Sequence, residues 1–281
     1  MKIRDAISRG TLAFQAAGIP TPRLDAELLT AAALSVGLLD LIKEPDRLMS
    51  PEETALFETY VARRLRKEPV AYIRGYKEFW SLPFQVNPGV LIPRPETELL
   101  VEETLALFPH KTAARILEVG TGSGAIAVAL AREMPCALIT ATDISVAALD
   151  TARANATNNG VAGRIDFLAG DLLDPIQGKF AAIVSNLPYL GETEWALLPP
   201  GVKDYEPPPA LLGGRNGLEL IGRLIATAGP HLARGGNLLL EIGAGQQEEV
   251  AALLAQAGFV EIGFRRDYSG HWRVARGRRD V

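Results

Sequence analysis

The sequence predicts an α/β fold: a doubly wound, mostly parallel sheet preceded by a small all-helical N-terminal domain and a β-hairpin linker. Three observations predict it. From Ala114 onward, short apolar runs alternate with helical stretches; the first 70 or so residues carry helical signals alone; and between Pro69 and Pro95, β-prone runs are broken by Pro, Asn and Gly. The expected boundaries are 1–70, 71–95 and 96–281.

Ile3 to Ala17 carries apolar residues at helical spacing and stops at Gly18-Ile19-Pro20. Thr21-Pro22 starts a second helix with Leu24, Leu28, Leu29 and Ala32 on one face, ending at Gly37. Ser50-Pro51-Glu52-Glu53 pairs a Ser cap with Glu three residues on, the capping-box pattern, and opens a helix through Leu65. Arg63, Arg64, Arg66 and Lys67 at its end read as a solvated face that complements the helix dipole, with an acidic or phosphate-bearing partner as the alternative.

Phe79 to Val86 reads as a hairpin, and Leu91 to Glu98 restarts a helix with Pro95 near its first turn. Strands are then expected at Arg115–Val119, Ala137–Thr142, Ile165–Leu168 and Phe180–Ser185, with helices at Ala125–Arg132 and Val146–Asn158 between them. After a Pro-rich loop come a helix at Leu218–Ala233, a strand at Leu238–Ile242, a helix at Gln247–Ala257 and strands around Phe259–Phe264 and Trp272–Ala275.

The chain has 281 residues, 48% hydrophobic and 22% charged, with a net charge of −4. A core of ordinary size is expected, with no global positive field to draw it to nucleic acid or membrane. The one cysteine, Cys136, excludes an internal disulfide and is expected to be buried. No signal peptide and no membrane-spanning run is apparent, so a cytoplasmic location is expected. His110, His231 and His271 are dispersed and give no metal cluster.

Glu118-Val119-Gly120-Thr121-Gly122-Ser123-Gly124-Ala125 lies between a strand and its helix. Such a turn brings backbone close to a ligand at a helix N-terminus, and its glycines alone fit either a dinucleotide or another nucleoside cofactor. Asp143 closes the next strand, where a carboxylate can take ribose hydroxyls in either case. Glu118 discriminates: a carboxylate inside the turn repels a pyrophosphate but suits a ligand bearing ammonium and sulfonium, which S-adenosylmethionine carries. Asp171 is placed to accept from an adenine amino group while Leu172 packs on the ring, an ordinary loop Asp being the alternative.

Ser185-Asn186-Leu187-Pro188-Tyr189 ends the fourth strand. The Asn186 side-chain oxygen and the Leu187 backbone oxygen can each accept one N–H of a planar NH2, and the Tyr189 ring can cover its plane. In isolation the motif reads more readily as the end of a strand and the start of a turn. Ligand candidates at four consecutive strand ends favour the functional reading.

Glu-x-Gly-x-Gly-x-Gly, Asp143 and Asn186-x-Pro188-Tyr189 resemble a Rossmann-like class I S-adenosylmethionine-dependent methyltransferase acting on a planar amino nitrogen. Pro69-Val70-Ala71-Tyr72-Ile73-x-Gly75, Glu78-Phe79-Trp80, Leu91-Ile92-Pro93-Arg94-Pro95-Glu96-Thr97-Glu98, and Tyr205-Glu206-Pro207 with Ala210-Leu211-x-Gly213-Gly214 are similar to the peptide-chain release factor glutamine N5-methyltransferases, the PrmC/HemK family. The likeness spans nearly the whole chain. It implies that Glu118, Gly120, Thr121, Gly122, Ser123, Gly124, Asp143, Asp171, Leu172 and Asn186 surround the cofactor, which leaves as S-adenosyl-L-homocysteine, with no metal. It also implies that Asn186, Leu187, Pro188 and Tyr189 receive the glutamine of the Gly-Gly-Gln motif of class I release factors.

The family usually has Pro where Leu187 stands, and Asn-Leu-Pro-Tyr also resembles adenine-N6 methyltransferases of RNA or DNA. The motifs outside the site favour glutamine; a non-catalytic cofactor-binding module is disfavoured because an acceptor motif accompanies the cofactor turn. The expected form is a monomer that binds neither membrane nor nucleic acid. The helical domain is expected to dock the release factor, and the loop from Leu190 to Arg215 to wall the acceptor site or simply cross the surface.

Overall fold

A computed structural model describes residues 1–109 and 111–280, so His110 lies outside the described residues. The chain forms two compact units: Met1–Tyr76 with Pro199–Tyr205, and Lys77–Leu198 with Glu206–Val281.

In the first unit, α1 (Ile3–Ala16), α2 (Pro22–Leu34), α3 (Leu38–Lys43), α4 (Pro51–Leu65) and α5 (Val70–Arg74) enclose Phe14, Leu29 and Phe57, all fully buried. The capping box forms as the sequence predicts: Glu53 N–H donates to Ser50 Oγ at 3.1 Å and Ser50 N–H to Glu53 Oε2 at 2.8 Å. Gly37 does not end α2. The helix stops at Leu34 because Ser35 turns left-handed (φ 54°), and Gly37 instead caps α3.

Of the basic cluster at the end of α4, Arg66 is exposed as a solvated face would have it, but the other three cations are engaged within the unit. Arg64 Nε donates to the buried Asp25 carboxylate at 2.7 Å, Arg63 bridges Glu68 at 2.5 Å, and Lys67 Nζ donates to the Ala17 carbonyl at 2.5 Å. These cations tie α4 to α1 and α2 and to the chain that follows. Tyr205, in the returning segment of this unit, donates to the Arg66 carbonyl at 2.9 Å.

A two-stranded hairpin follows, β1 (Tyr76–Phe79) and β2 (Leu82–Gln85), turning at Trp80 and Ser81, both with positive φ. Then come α6 (Glu98–Ala106), β3 (Arg115–Val119), α7 (Ala125–Glu133), β4 (Leu138–Asp143), α8 (Val146–Asn158), β5 (Ile165–Ala169) and β6 (Phe180–Ser185). Two short helices, α9 (Glu192–Ala196) and α10 (Pro200–Lys203), precede α11 (Glu219–Ala228), β7 (Leu232–Glu241), α12 (Gln247–Gln256), β8 (Phe259–Arg266) and β9 (Trp272–Arg279). The helix expected to reach Ala233 ends at Ala228; a 3-10 turn over Gly229–His231, containing Pro230, leads into β7 at Leu232. Cys136 is exposed, in the turn between α7 and β4, rather than buried.

The second unit carries a seven-stranded sheet in the order β5-β4-β3-β6-β7-β9-β8, parallel from β5 to β7 with β9 and β8 antiparallel. Its faces bury separate apolar clusters, one around α6 and α7 and one around α11 and α12, as a doubly wound sheet requires. The strand order reverses between β3 and its neighbours β4 and β6, which opens a crevice at their C-terminal ends. Register fixes what meets there. Val119 pairs with Thr142 and Ser185, and Ser185 with Leu240, so Gly120, Asp143, Asn186 and Glu241 reach one level of one edge.

Candidate functional site

A cavity of about 390 Å³ opens at this edge, entirely within the second unit. Glu118, Gly120, Thr121, Gly122, Ser123, Asp143, Asp171, Leu172, Asn186, Leu187 and Pro188 all line it. Of the residues singled out from the sequence, Gly124 and Tyr189 do not. Gly124 caps α7 with φ 82°, and Tyr189 turns into the apolar layer beneath.

One side of the cavity is shaped by the glycine turn. Gly120 (φ 76°) and Gly122 (φ 54°) adopt a conformation that disfavours side chains, and nothing stands within 4 Å of where a Cβ on Gly122 would point. The Gly120 and Thr121 N–H groups both donate to the Thr142 carbonyl at 2.9 Å, which pins the turn to β4. Asp143 completes the clamp, accepting from Gly122 N–H on Oδ2 and from Ser145 N–H on Oδ1, each at 2.8 Å. Each oxygen keeps a lone pair for a further donor.

Glu118 is 1% exposed and accepts from Thr121 Oγ1 at 2.6 Å and Ala127 N–H at 3.0 Å, both on Oε2. Burial pushes its pKa up to about 8, with Asp143 adding repulsion against those two hydrogen bonds. A cation in the cavity would return it to the carboxylate. Two acidic side chains beside an open glycine cradle fit a nucleoside ligand that carries positive charge, and fit a pyrophosphate badly. Asp171 lines the cavity, and its Oδ2 accepts from Arg223 at 2.7 Å on the surface. Leu172, held left-handed at φ 49°, is half-buried and its carbonyl accepts from Thr142 Oγ1 at 3.2 Å.

The opposite side is assembled from distant segments. Ser185 Oγ donates to the Val119 carbonyl at 2.6 Å, which locks β6 to β3 just before Asn186. Asn186 Nδ2 donates to Thr97 Oγ1 at 3.0 Å, while its Oδ1 has no protein partner among the described residues. Leu187 is 5% exposed, with Cδ2 3.2 Å from where a Cβ on Gly120 would stand, so it packs under the glycine turn. Tyr189 Oη donates to Glu241 Oε1 at 3.4 Å and its carbonyl accepts from Gln246 Nε2 at 2.8 Å. Burial and the Glu241 charge keep that phenol well above its usual range.

The crossover after Tyr189 is clamped by backbone. Gly213 N–H donates to the Leu190 carbonyl at 2.9 Å and Leu190 N–H to the Leu211 carbonyl at 3.1 Å. A Cβ on Gly213 would lie 2.2 Å from the Pro188 carbonyl oxygen, so no other residue fits there. From the far wall, Arg94 Nη2 donates to the buried Glu206 at 2.5 Å, and Ile92 N–H reaches the same carboxylate at 3.2 Å. Pro207, Pro209 and Leu212 of the crossover line the cavity.

Thr97, Arg94, Glu206 and Glu241 were not singled out for the site from the sequence. Thr97, Arg94 and Glu206 stand inside motifs quoted only for family likeness. Glu241 carried a readable signal, since it ends a parallel strand as Asp143 does. Among the described residues no group of three His, Cys, Asp or Glu side chains could hold a metal ion, and no helix is long and apolar enough to cross a membrane.

Two family models match the chain: the PrmC N-terminal domain over residues 5–75 and the methyltransferase small domain over residues 95–196. A protein of Koribacter versatilis named release factor glutamine methyltransferase is 42% identical over 245 residues, which cover 86% of this chain and 87% of that one. A protein of the same name from Geobacter sulfurreducens is 40% identical over 272 residues, covering 96% of this chain and 94% of its own. Among solved structures, a methyltransferase from Pyrococcus furiosus superposes with a TM-score of 0.56 at 20% identity, covering 80% of this chain and 100% of that one, a likeness of fold.

Proposed function

The chain belongs to the family of release factor glutamine methyltransferases, which methylate the side-chain amide nitrogen of a release-factor glutamine, and from that premise we propose how its cavity divides the work. The glycine side receives S-adenosylmethionine, and the Asn186 side receives the glutamine of the Gly-Gly-Gln motif. The observation that supports this reading is the strand register, which sets Gly120, Asp143 and Asn186 around a single cavity.

S-adenosylmethionine, when bound, supplies an electrophilic methyl group on a sulfonium. Gly120 to Ser123 and Asp143 hold its nucleoside end, Leu172 lies beside the adenine, and Glu118 balances its positive charge. The glutamine nitrogen is a poor nucleophile because its lone pair is delocalised into the carbonyl. Asn186 Oδ1 and the Leu187 carbonyl accept its two N–H bonds, which fixes the plane of the amide and aims the nitrogen across the cavity. Positioning and fixed dipoles supply most of the rate. No side chain is required as an obligatory base, since the nitrogen becomes acidic as it gains the methyl and its proton can leave to solvent. Tyr189 acts from below through its backbone and its bond to Glu241, not by covering the amide.

The helical unit, residues 1–76 with 199–205, docks the release factor. The test combines labelled S-adenosylmethionine with intact release factor, a free Gly-Gly-Gln peptide and ribosomal RNA. Label is expected in the two glutamine substrates and absent from RNA. Asn186→Ala is expected to retain cofactor affinity and lose about 100-fold or more in turnover; unchanged turnover refutes the site assignment. Deleting residues 1–70 is expected to abolish the reaction with release factor and spare the peptide. Equal effects on both substrates would refute docking by that unit.

A further inference from the structure

A carboxamide has two ends of nearly the same shape and opposite hydrogen-bonding character. Asn186 can accept an N–H from glutamine only if Oδ1, not Nδ2, faces the cavity. Thr97 Oγ1 takes Nδ2 at 3.0 Å, but a hydroxyl both donates and accepts, so Thr97 alone does not choose between the two orientations.

Behind Thr97 stands a group that can choose. Glu241, at the end of β7, is 1% exposed and Thr97 5%. Glu241 Oε1 receives the Tyr189 hydroxyl, while its Oε2 is buried with no hydrogen-bond partner. The register of β6 against β7, with Ser185 opposite Leu240, sets Glu241 beside Asn186 and its Thr97 partner, and the Thr97 hydroxyl favours the charged form of this carboxylate. A carboxylate only accepts, so a Thr97 hydroxyl turned toward it would keep its oxygen for Nδ2 of Asn186.

We propose that Thr97 and Glu241 are positioning residues for methyl transfer: Glu241 sets the direction of the Thr97 hydroxyl, and Thr97 sets which end of the Asn186 amide meets the glutamine. The inference rests on Asn186 as the glutamine receiver. Glu241 works only when ionised, because a protonated carboxyl offers Thr97 a donor and frees the hydroxyl to turn on Oδ1. The groups that face it are the Thr97 and Tyr189 hydroxyls, Arg273, which favours its charge, and Glu96, which opposes it. Arg273 is itself held by Asp267 at 3.2 Å. Burial brings the Glu241 pKa up to about 7, so the device engages as pH rises through neutrality.

The test measures kcat, KM for release factor and Kd for S-adenosylmethionine in the full-length enzyme carrying Thr97→Val, Thr97→Ser, Glu241→Gln, Asn186→Ala and the pair Thr97→Val with Asn186→Ala. Thr97→Val is expected to lower kcat about 100-fold with Kd and KM held within about twofold, and Thr97→Ser to restore most of it. The double variant is expected to be no slower than Asn186→Ala alone, since a residue acting through another adds nothing once that one is gone. At saturating S-adenosylmethionine, wild-type kcat is expected to rise across neutral pH, and Glu241→Gln to be slow with that rise absent. Wild-type turnover in Thr97→Val, losses that add in full, or a wild-type pH profile in Glu241→Gln overturns the inference and leaves Asn186 in its role. Wild-type turnover in Asn186→Ala overturns both. If Thr97→Val does not fold, Thr97→Ser and the Glu241→Gln profile decide by the same criteria.

Discussion

On the side of the cavity proposed for the cofactor, Glu118, Gly120, Gly122 and Asp143 come from two adjacent strands and are fixed by backbone hydrogen bonds within residues 118–145. On the side proposed for the acceptor, Asn186 and Pro188 depend on Thr97, Gly213 and Glu241, each contributed by a different segment. The first half is built within one β-α-β unit, and the second is assembled from segments spread across the sheet and its crossover loop.

The contrast is broken most severely at the glycines, because each half has one that a methyl group would invade. Gly213→Ala sets a Cβ 2.2 Å from the Pro188 carbonyl, against backbone on both sides, so the Pro188–Leu190 segment has to move. Turnover is expected to fall about 100-fold, as for a misplacement of roughly 1 Å, while S-adenosylmethionine affinity changes little. Gly120→Ala meets Leu187 Cδ2 at 3.2 Å, a flexible side-chain end, and carries the strain of φ 76°. That strain is about 1–2 kcal/mol, so cofactor affinity is expected to drop about tenfold. Isothermal titration with the cofactor and single-turnover methylation separate the two. Equal effects of both variants on affinity would show that the halves are not independently built.

This division also decides how much the sequence reveals. The turn from Glu118 to Ala125, Asp143 at the end of β4 and the capped α4 were legible because each is written in contiguous residues whose spacing dictates local geometry. Asn186 was legible by its place at a strand end. Glu241 shares that strand-end signal, though only the register of β6 against β7 sets it beside Asn186; Thr97 was not legible, since the entry into α6 brings it there by packing. The Tyr189 ring was expected over the amide, but its hydroxyl reaches Glu241 and draws it under the sheet edge. The cations of α4 misled for the same reason: their partners Asp25 and Ala17 lie on other helices, and sequence spacing cannot show a neighbour that arrives by packing. Cys136 followed the usual burial of its type until the turn before β4 put it outside.

A gentler test of the cofactor side uses its charge. Glu118 has its pKa raised from 4.5 to about 8 by burial, so between these values the folded protein binds more protons than the unfolded chain. The Glu118 contribution to stability without cofactor is therefore fully present below about pH 4.5 and lost as pH rises through 8, with the Glu241 contribution lost near 7, so the melting-temperature difference between the wild type and Glu118→Gln is expected to shrink over that interval. If Glu118 balances the charge of S-adenosylmethionine as proposed, binding lowers its pKa, so affinity should increase over the same interval and binding should release a proton. Melting temperatures and buffer-dependent binding enthalpies check both signs. S-adenosyl-L-homocysteine lacks the sulfonium and should show a weaker pH dependence, and Glu118→Gln should remove most of it. An affinity for S-adenosylmethionine that is flat from pH 6 to 9 would remove Glu118 from charge balance.

The smallest effect is expected where the halves touch. Leu187 supplies a backbone oxygen to the acceptor side and a side chain to the underside of the glycine turn. Leu187→Pro installs the residue that the family resemblance implies at this position, keeps that oxygen and takes the long side chain away from Gly120. Proline stiffens the acceptor turn, a gain of under about 1 kcal/mol, while the lost packing loosens the cofactor turn by a comparable amount. Turnover is expected to change by less than about threefold and cofactor affinity to fall slightly, because the two effects act on opposite walls. A large gain in turnover with unchanged affinity would mean that Leu187 limits the acceptor side alone. A large loss of affinity would make its side chain a structural member of the cofactor turn, and the boundary between the two halves would then run through position 187 instead of before it.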